Sequence, residues 1–219
     1  MKTVNASRTA TPRLQASDRR RQLVETALDF FSRKGFGGTT TKEIASAAGV
    51  TEAIIFRHFP SKQDLYNAVL SYHHDSGKTA ECVAEWKSFM ARNDDEGLVR
   101  GIIERVIEGS RRDLRGHRVL LFAALEGHEA ALEYHRNSAL PISELLIQYV
   151  ARRQKEGALR GDDPIAVVAA VYGMAAQYAS MTQMFGFRTN ITDRQITDSF
   201  VDLVMHGIQG NKHARRAKQ

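Results

Sequence analysis

The sequence predicts an all-α protein. Four prolines occur in 219 residues, apolar residues recur at spacings of three and four, and no stretch shows the sustained apolar–polar alternation of a half-buried strand. Hydrophobic residues make up 42% of the chain and charged residues 26%, a balance typical of globular proteins rather than disordered ones. Cys82 is the single cysteine, so a scaffold held by disulfides within the chain is excluded.

Positive charge is concentrated at the two ends of the chain. Residues 1–70 contain 11 Lys and Arg against 6 Asp and Glu, residues 71–210 contain 16 against 19, and residues 211–219 contain 4 against none. A basic first third on an acidic body favours a polyanionic partner such as nucleic acid, although solvated basic tails give the same pattern. We expect a basic flexible arm over residues 1–17 and a basic tail over residues 211–219.

The first helix is expected to begin near Ser17 or Asp18, either of which can cap free backbone N–H groups. It should end at Gly35, where a positive φ costs little. The residues expected on its inner side are Leu23, Val24, Ala27, Leu28 and Phe31.

Two short helices joined by a tight turn are predicted next. Thr40 and Glu43 form a capping box that opens the first of them, which should stop at Gly49. Thr51 can cap the second, which Pro60 prevents from continuing and whose inner residues are Ile55 and Phe59. This order is the sequence pattern of a helix-turn-helix, and a further capping box over residues 61–64 opens a fourth helix.

The segments Gly35–Ala45, Ala48–Thr51 and Phe56–Leu65 together resemble the TetR family of bacterial transcription repressors. The resemblance covers about residues 18–78 and implies a three-helix DNA-binding head followed by a connecting helix. It also implies a larger helical domain over residues 79–210 that binds a ligand and forms a homodimer. We expect a cytoplasmic protein and, because catalytic motifs are absent from the sequence, one that is not an enzyme.

Carried over by position, the resemblance implies a set of DNA-facing residues. These are Thr40, Lys42, Thr51, Glu52, Ala53, Ile54, Phe56, Arg57, His58 and Lys62. The sequence departs from the family pattern at three positions. Phe56 lacks the hydroxyl of the usual tyrosine, Thr41 stands where the family often has an aliphatic residue, and Glu52 is acidic. Glu52 either accepts a hydrogen bond from a cytosine amino group or contributes little to binding.

Helices in the second half are predicted around 80–92, 97–110, 117–136 and 139–157, and a last one, opened by a capping box at Thr192, around 193–208. Asp163 and Pro164 open a long uncharged helix. The acidic pairs at residues 94–95 and 162–163 are interpreted as solvated helix starts.

Small side chains follow one face of the uncharged helix, and we expect that face and the last helix to pack against their copies in a two-fold dimer. The expected interface residues are Ala166, Ala169, Ala170, Gly173, Ala176, Ser180, Phe200, Leu203 and Val204. Two alternatives remain at this point. One is a helix in the core of a monomer, and the other is a membrane span, for which the helix is long enough but unusually rich in Ala and Gly.

Aromatic and flexible side chains in the middle segment are candidates to line a ligand cavity, or are simply core. They are Trp86, Phe89, Met90, Phe122, His128 and Tyr178. His128 and His135 lack a third partner for a metal, so no metal site is expected. The sequence contains neither the phosphate-binding loop G-x-x-x-x-G-K-[ST] nor the nucleophile turn G-x-S-x-G. No cofactor is predicted.

We therefore interpret the chain as a dimeric repressor that binds a palindromic double-stranded operator and is released by a small molecule. A ligand-independent architectural DNA-binding protein and a helical enzyme are the alternatives.

Overall fold

A computed structural model describes residues 15–74 and 78–208, which form helices and connecting turns without a β-strand. The helices are α1 (Ala16–Lys34), α2 (Thr41–Ala47), α3 (Glu52–His58), α4 (Lys62–His74), α5 (Lys78–Ala91), α6 (Asp95–Arg112), α7 (Arg115–Leu125), α8 (Glu129–Tyr134), a π-helical turn (His135–Ala139), α9 (Leu140–Lys155), α10 (Pro164–Gln183) and α11 (Asp193–Ile208). The predicted all-α class is confirmed.

The chain divides into two compact units, Met1–Val69 and Leu70–Gln219, hereafter the head and the body. The division falls within α4, well before the domain boundary expected at 78 and 79. Nearly all of the predicted arm over 1–17, and the whole predicted tail over 211–219, lie outside the described residues.

The start of α1 differs from the prediction. The helix begins at Ala16, and Gln15 occupies the N-cap position without a side-chain hydrogen bond, so neither Ser17 nor Asp18 caps it. The inner side and the end are as predicted, because the five expected apolar residues are buried and Gly35 adopts a φ of 68°. Phe31 packs edge to face on Tyr66 of α4, with 4.8 Å between the ring centroids, and this contact joins α1 to α4.

The single helix predicted over 117–136 is wrong, since the structure has two helices there. Gly127 adopts a φ of 66° and ends the run after α7, and the side chain of His128 caps the start of α8. The break predicted near residues 137–138 is absent. Leu140 instead donates its N–H to the carbonyl of His135, five residues back, so a π-helical turn joins α8 to α9 just before Pro141, which has no N–H to donate.

The core of the body is built by α6, α9, α10 and α11, with α5 packed on α6. The inward stripe of α10 recurs every four residues, as one helix face requires, and consists of Val167, Val171, Ala175 and Ala179. Gly97 of α6 permits the approach of α5, because a Cβ there would lie 2.7 Å from Phe89 Cδ1.

A buried charge cluster lies where α6 begins. Arg153 of α9 donates through Nη2 to Asp95 at 2.8 Å and through Nε at 2.9 Å, while the Tyr149 hydroxyl donates to the same carboxylate at 2.5 Å. The Asp95 and Arg153 side chains are 14% and 13% exposed. Burial and the bond to Asp95 raise the pKa of Tyr149, and the hydrogen bond to Asp95 raises the pKa of Arg153. Asp95 is therefore not the solvated helix start that the sequence indicated.

Removing one member of this cluster should destabilise the body strongly. Asp95→Ala removes the shared partner of the Arg153 guanidinium and the Tyr149 hydroxyl and leaves Arg153 its bond to Glu156, so the free energy of unfolding should fall by about 2–3 kcal/mol. Asp198→Ala is the matched control, because its side chain is 50% exposed where it pairs with Arg100, and it should cost about 1 kcal/mol at most. Urea unfolding followed by circular dichroism measures both. If both variants lost the same free energy of unfolding, the stronger contribution assigned to Asp95 would be contradicted.

Candidate nucleic-acid interface

Helices α2 and α3 form the predicted helix-turn-helix. Each has seven residues, and Gly49 between them adopts a φ of 67°, which a side chain would strain. Val50 donates its N–H to the carbonyl of Ala45 at 2.9 Å, which closes the turn. The predicted inner residues Ile55 and Phe59 are buried. The remaining faces of α3 are left to solvent or partly so, as a helix that enters a groove requires.

A polar network fixes the start of α2. The Thr40 hydroxyl accepts the Glu43 N–H at 3.2 Å, and the Glu43 carboxylate accepts the Thr40 N–H at 2.9 Å, so the predicted capping box is confirmed. Lys34 of α1 adds a bond to Glu43 at 2.6 Å that the sequence did not suggest, because the two residues lie nine positions apart. The hydrogen bonds from Lys34 and Thr40 lower the pKa of Glu43 from 4.5 to about 2.

The structure places the ten predicted DNA-facing residues in two groups. The exposed ones lie at the start of α2 and along α3 and are Thr40, Lys42, Thr51, Ala53, Phe56 and Arg57. The partly buried ones are Glu52, Ile54, His58 and Lys62. Thr51 occupies the N-cap position of α3, but its hydroxyl makes no capping bond. Phe56, without the phenol group of a tyrosine, is 45% exposed.

Lys62 is engaged within the head. Its ammonium donates to the carbonyl of Phe36 at 2.5 Å and lies 4.2 Å from the centroid of the Phe36 ring. The positive charge therefore holds the loop after α1 against the start of α4. A phosphate contact by Lys62 stays a prediction.

His58 is not fully accessible at the surface of the head. Its Nε2 atom is buried without a hydrogen-bond partner. Burial lowers the pKa of His58 below 6.5, and the charges of Arg57, Arg20 and Arg19 lower it further. The ring is thus favoured as the neutral form in a strongly positive neighbourhood, and its predicted approach to DNA remains a prediction.

Lys42 and Arg57 are the cations most available to a polyanion. Both are exposed, and neither forms an ion pair or hydrogen bond within the described head. Arg20, also exposed, lies over the Phe59 ring with its guanidinium carbon 4.6 Å from the centroid. Free cations beside an open helix provide the phosphate contacts that position a protein on a duplex.

The ligand-lining candidates in the body mostly belong to its core. Trp86 and Met90 are buried there, and Phe89 and Tyr178 pack against them. His128 accepts the Ala130 N–H at 3.3 Å as a helix cap, and Phe122 is half-buried. A cavity of about 40 Å³ lies instead among α6, α9 and α10. None of the six candidates lines it, and its walls include Leu98, Ile102, Leu146, Val167 and Val171.

The expected dimer residues lie mostly on the open face of α10 and α11. The exposed ones are Ala166, Ala169, Ala170, Gly173 and Leu203, and the half-buried ones are Ala176, Ser180 and Phe200. Val204 differs, since it is 7% exposed and packs in the core of its own chain. A groove of about 570 Å³ runs along this face, and its lining, which includes Ala169, Met174 and Phe200, is mostly apolar apart from Gln177.

Two further properties concern the described residues only. No group of three His, Cys, Asp or Glu side chains there could hold a metal ion. By length and composition alone α10 could cross a membrane, with a mean hydropathy of 1.3. A helix of a soluble protein that is covered by a partner helix would pass the same test.

The helix-turn-helix with its exposed second helix defines the class of the head as a DNA-binding domain. Residues 23–69 match the model of the bacterial regulatory proteins of the tetR family. The HTH-type regulator YvkB of Bacillus subtilis is 47% identical over 53 residues, which cover 24% of this chain and 28% of that relative. RutR of Escherichia coli is 25% identical over 214 residues, which cover 94% and 99%. The activator FasR of Mycolicibacterium smegmatis is 31% identical over 108 residues, and 48% of it is covered.

Solved structures share the whole fold. The structure of AibR with isovaleryl coenzyme A and operator DNA matches with a TM-score of 0.64 and 22% identity over 84% of this chain and 97% of that one. A regulator from Saccharomonospora viridis in complex with choline matches with a TM-score of 0.67 and 18% identity over 89% and 100%. The head therefore carries the DNA-binding domain described for bacterial regulatory proteins of the tetR family, and the chain as a whole has the fold of these regulators.

Replacing Lys42 by Gln should weaken binding to all duplex sequences alike. Loss of one phosphate contact per head should lower the slope of log affinity against log salt by about 0.9 per head. Lys87→Gln removes an exposed cation of α5 in the body and serves as control. Fluorescence anisotropy with a labelled random duplex at several salt concentrations gives both slopes. An unchanged slope for Lys42→Gln would exclude the phosphate contact.

The pH dependence of the capping box has a defined sign. Because the folded-state pKa of Glu43 is lowered from 4.5 to about 2, its contribution to stability is fully present above pH 4.5 and is lost as the pH falls through about 2. The thermal midpoints of the wild type and Glu43→Gln should therefore converge between these pH values, as circular dichroism can show. Lys34→Gln should weaken the dependence. A difference that stays constant down to pH 2 would contradict the assignment.

Proposed function

We propose that the protein is a homodimeric repressor that occupies a palindromic operator and is released by a small molecule. The observation that supports it best is the outer face of α10. This face leaves Ile165 62% and Tyr172 53% exposed beside the exposed alanines and Gly173. A long uncharged helix that is open on one side is suited to a copy of itself, since small side chains let two helices approach closely.

Dimerisation would supply what the head alone lacks. A seven-residue recognition helix reaches only a few base pairs, and two heads related by a two-fold axis read two half-sites about 34 Å apart. The predicted interface on α10 and α11 and the predicted palindrome are thus linked, because one symmetry axis generates both.

The effector is proposed to enter the body through the apolar region among α6, α9 and α10. AibR was solved with isovaleryl coenzyme A and operator DNA, and the Saccharomonospora viridis regulator with choline, so relatives of this fold hold small molecules. The cavity of about 40 Å³ is too small for such ligands as it stands. A ligand must therefore prefer a state in which these helices have moved, and only that preference can change the affinity for DNA.

The remaining parts of the proposal follow from the family. A transcriptional regulator works where the chromosome is, so we assign the protein to the cytoplasm, and we assign it no catalytic role. Activation instead of repression is favoured by one observation, the similarity to the activator FasR. The position of the operator relative to its promoter decides between the two.

Selection of bound sequences from randomised duplexes tests the proposal directly. We expect a consensus with two-fold symmetry whose half-sites are centred about one DNA turn apart. A small-molecule library is then screened for compounds that release the selected duplex. Binding without any consensus would support an architectural protein instead, and a consensus without a releasing compound would contradict the effector.

Gly173→Leu should split the dimer without unfolding the chain. A Cβ on Gly173 meets no atom within 4 Å in the single chain, so the new side chain fits the monomer and clashes only with a partner helix. Gly109→Leu in α6 is the matched control, because its Cβ is equally free. Sedimentation velocity should show a monomer for the first variant and a dimer for the second. A Gly173→Leu dimer would place the interface elsewhere.

A further inference from the structure

Thr41 and Glu52 form a hydrogen bond between the two helices of the helix-turn-helix. The Thr41 hydroxyl, on the first residue of α2, donates to Oε1 of Glu52, on the first residue of α3. Both residues are partly buried. The bond spans eleven positions in the sequence and depends on threonine at position 41, since an aliphatic side chain has no donor to offer.

The bond leaves the second carboxylate oxygen available. Glu52 has no other hydrogen bond or ion pair in the described part of the chain, so Oε2 keeps its full capacity to accept. Ala53 and Arg57, on the same short helix, are exposed. Because Thr41 binds Oε1, the Glu52 carboxylate is held in a defined direction and Oε2 remains as a hydrogen-bond acceptor. Glu52 lies on α3, the helix expected to enter the major groove.

We propose that Thr41 is a specificity-determining residue that positions Glu52 to select cytosine at one position of each half-site. This inference rests on the proposed binding of a DNA operator. Thr41 acts through Glu52 and does not itself read a base. Because a free glutamate side chain would have to be ordered on binding, a carboxylate already held by Thr41 loses less conformational freedom when it meets its base.

The hydrogen-bonding groups of the bases in the major groove favour cytosine as the partner of Glu52. In the major groove guanine presents only acceptors, and thymine presents an acceptor and a methyl group, so both repel or ignore a carboxylate. Adenine offers an amino donor, but its N7 acceptor lies beside that donor and faces the same negative charge. Cytosine offers its N4 amino group with only one neighbouring acceptor, O6 of the paired guanine, and an apolar C5 edge on the other side, whereas the adenine amino group lies between two acceptors. Cytosine is therefore the base that a single carboxylate oxygen favours.

The test compares four variants of the full chain on one set of duplexes. Sequence selection with the wild type and with Glu52→Ala identifies the position that Glu52 reads, as the position where only the wild type requires cytosine. Affinities are then measured for the selected site and for its three single-base replacements at that position. The further variants are Thr41→Val, which removes the donor at nearly equal size, Thr41→Ser, which retains it, and Thr26→Val.

Thr26→Val is the matched control, since it also removes a threonine hydroxyl from the head, one that donates to the carbonyl of Gln22 within α1 at 2.8 Å. Circular dichroism of every variant verifies that the head is folded. Glu52→Ala should lower the preference for cytosine about tenfold, and Thr41→Val should lower it about fivefold. Thr41→Ser should restore it, and Thr26→Val should leave it unchanged.

Combining the two changes separates positioning from a purely structural role. The double variant Thr41→Val with Glu52→Ala should discriminate no less than Glu52→Ala alone, because Thr41 acts only through the carboxylate. A Thr41→Val protein that keeps the full preference, or that loses affinity equally at every position, would overturn the proposal. So would selection of adenine in place of cytosine. A wild type that selects no sequence at all would instead refute the proposed operator binding.

Discussion

The body depends above all on the packing of α10 against α6. The inner stripe of α10 is made of valine and alanine four residues apart, and it meets the apolar stripe of α6 that includes Val99 and Ile102. Burial of these side chains fixes which way α10 is turned. The same rotation sends the other face outward, with Ala169 and Gly173 in solvent. One packing constraint therefore positions both the core and the surface proposed for the partner subunit.

Polar contacts order the short helices of the head in addition to its apolar core. Two seven-residue helices are too short to be stable alone, so their ends must be satisfied by neighbours. Glu43 binds Thr40 and Lys34, Thr41 binds Glu52, and the charge of Lys62 holds the Phe36 loop. Several residues that resemble DNA contacts by position are thus also parts of this framework, while Lys42 and Arg57 remain available for a partner.

Local signals in the sequence were sufficient for the helices and their caps. Each of these signals depends on residues within a few positions of each other, so the sequence alone could predict it. They are the capping boxes at Thr40 and Thr192, the cap by Asp163 and the positive φ at Gly49. The π-helical turn before Pro141 and the helix break at Gly127 were not predicted. A glycine inside an apolar pattern permits a break without requiring one, and the surrounding packing decides.

The sequence by itself determined the helical class, the helix-turn-helix and the basic character of the first third, because periodicity, capping and charge are properties of neighbouring residues. Only the tertiary structure decided that Asp95 is buried against Arg153, that Lys62 is bound to Phe36, and that Val204 faces the core of its own chain. These pairings join residues that are tens of positions apart or set the rotation of a helix. The burial of a charge and the direction of a side chain depend on which elements pack together, and local patterns do not specify that.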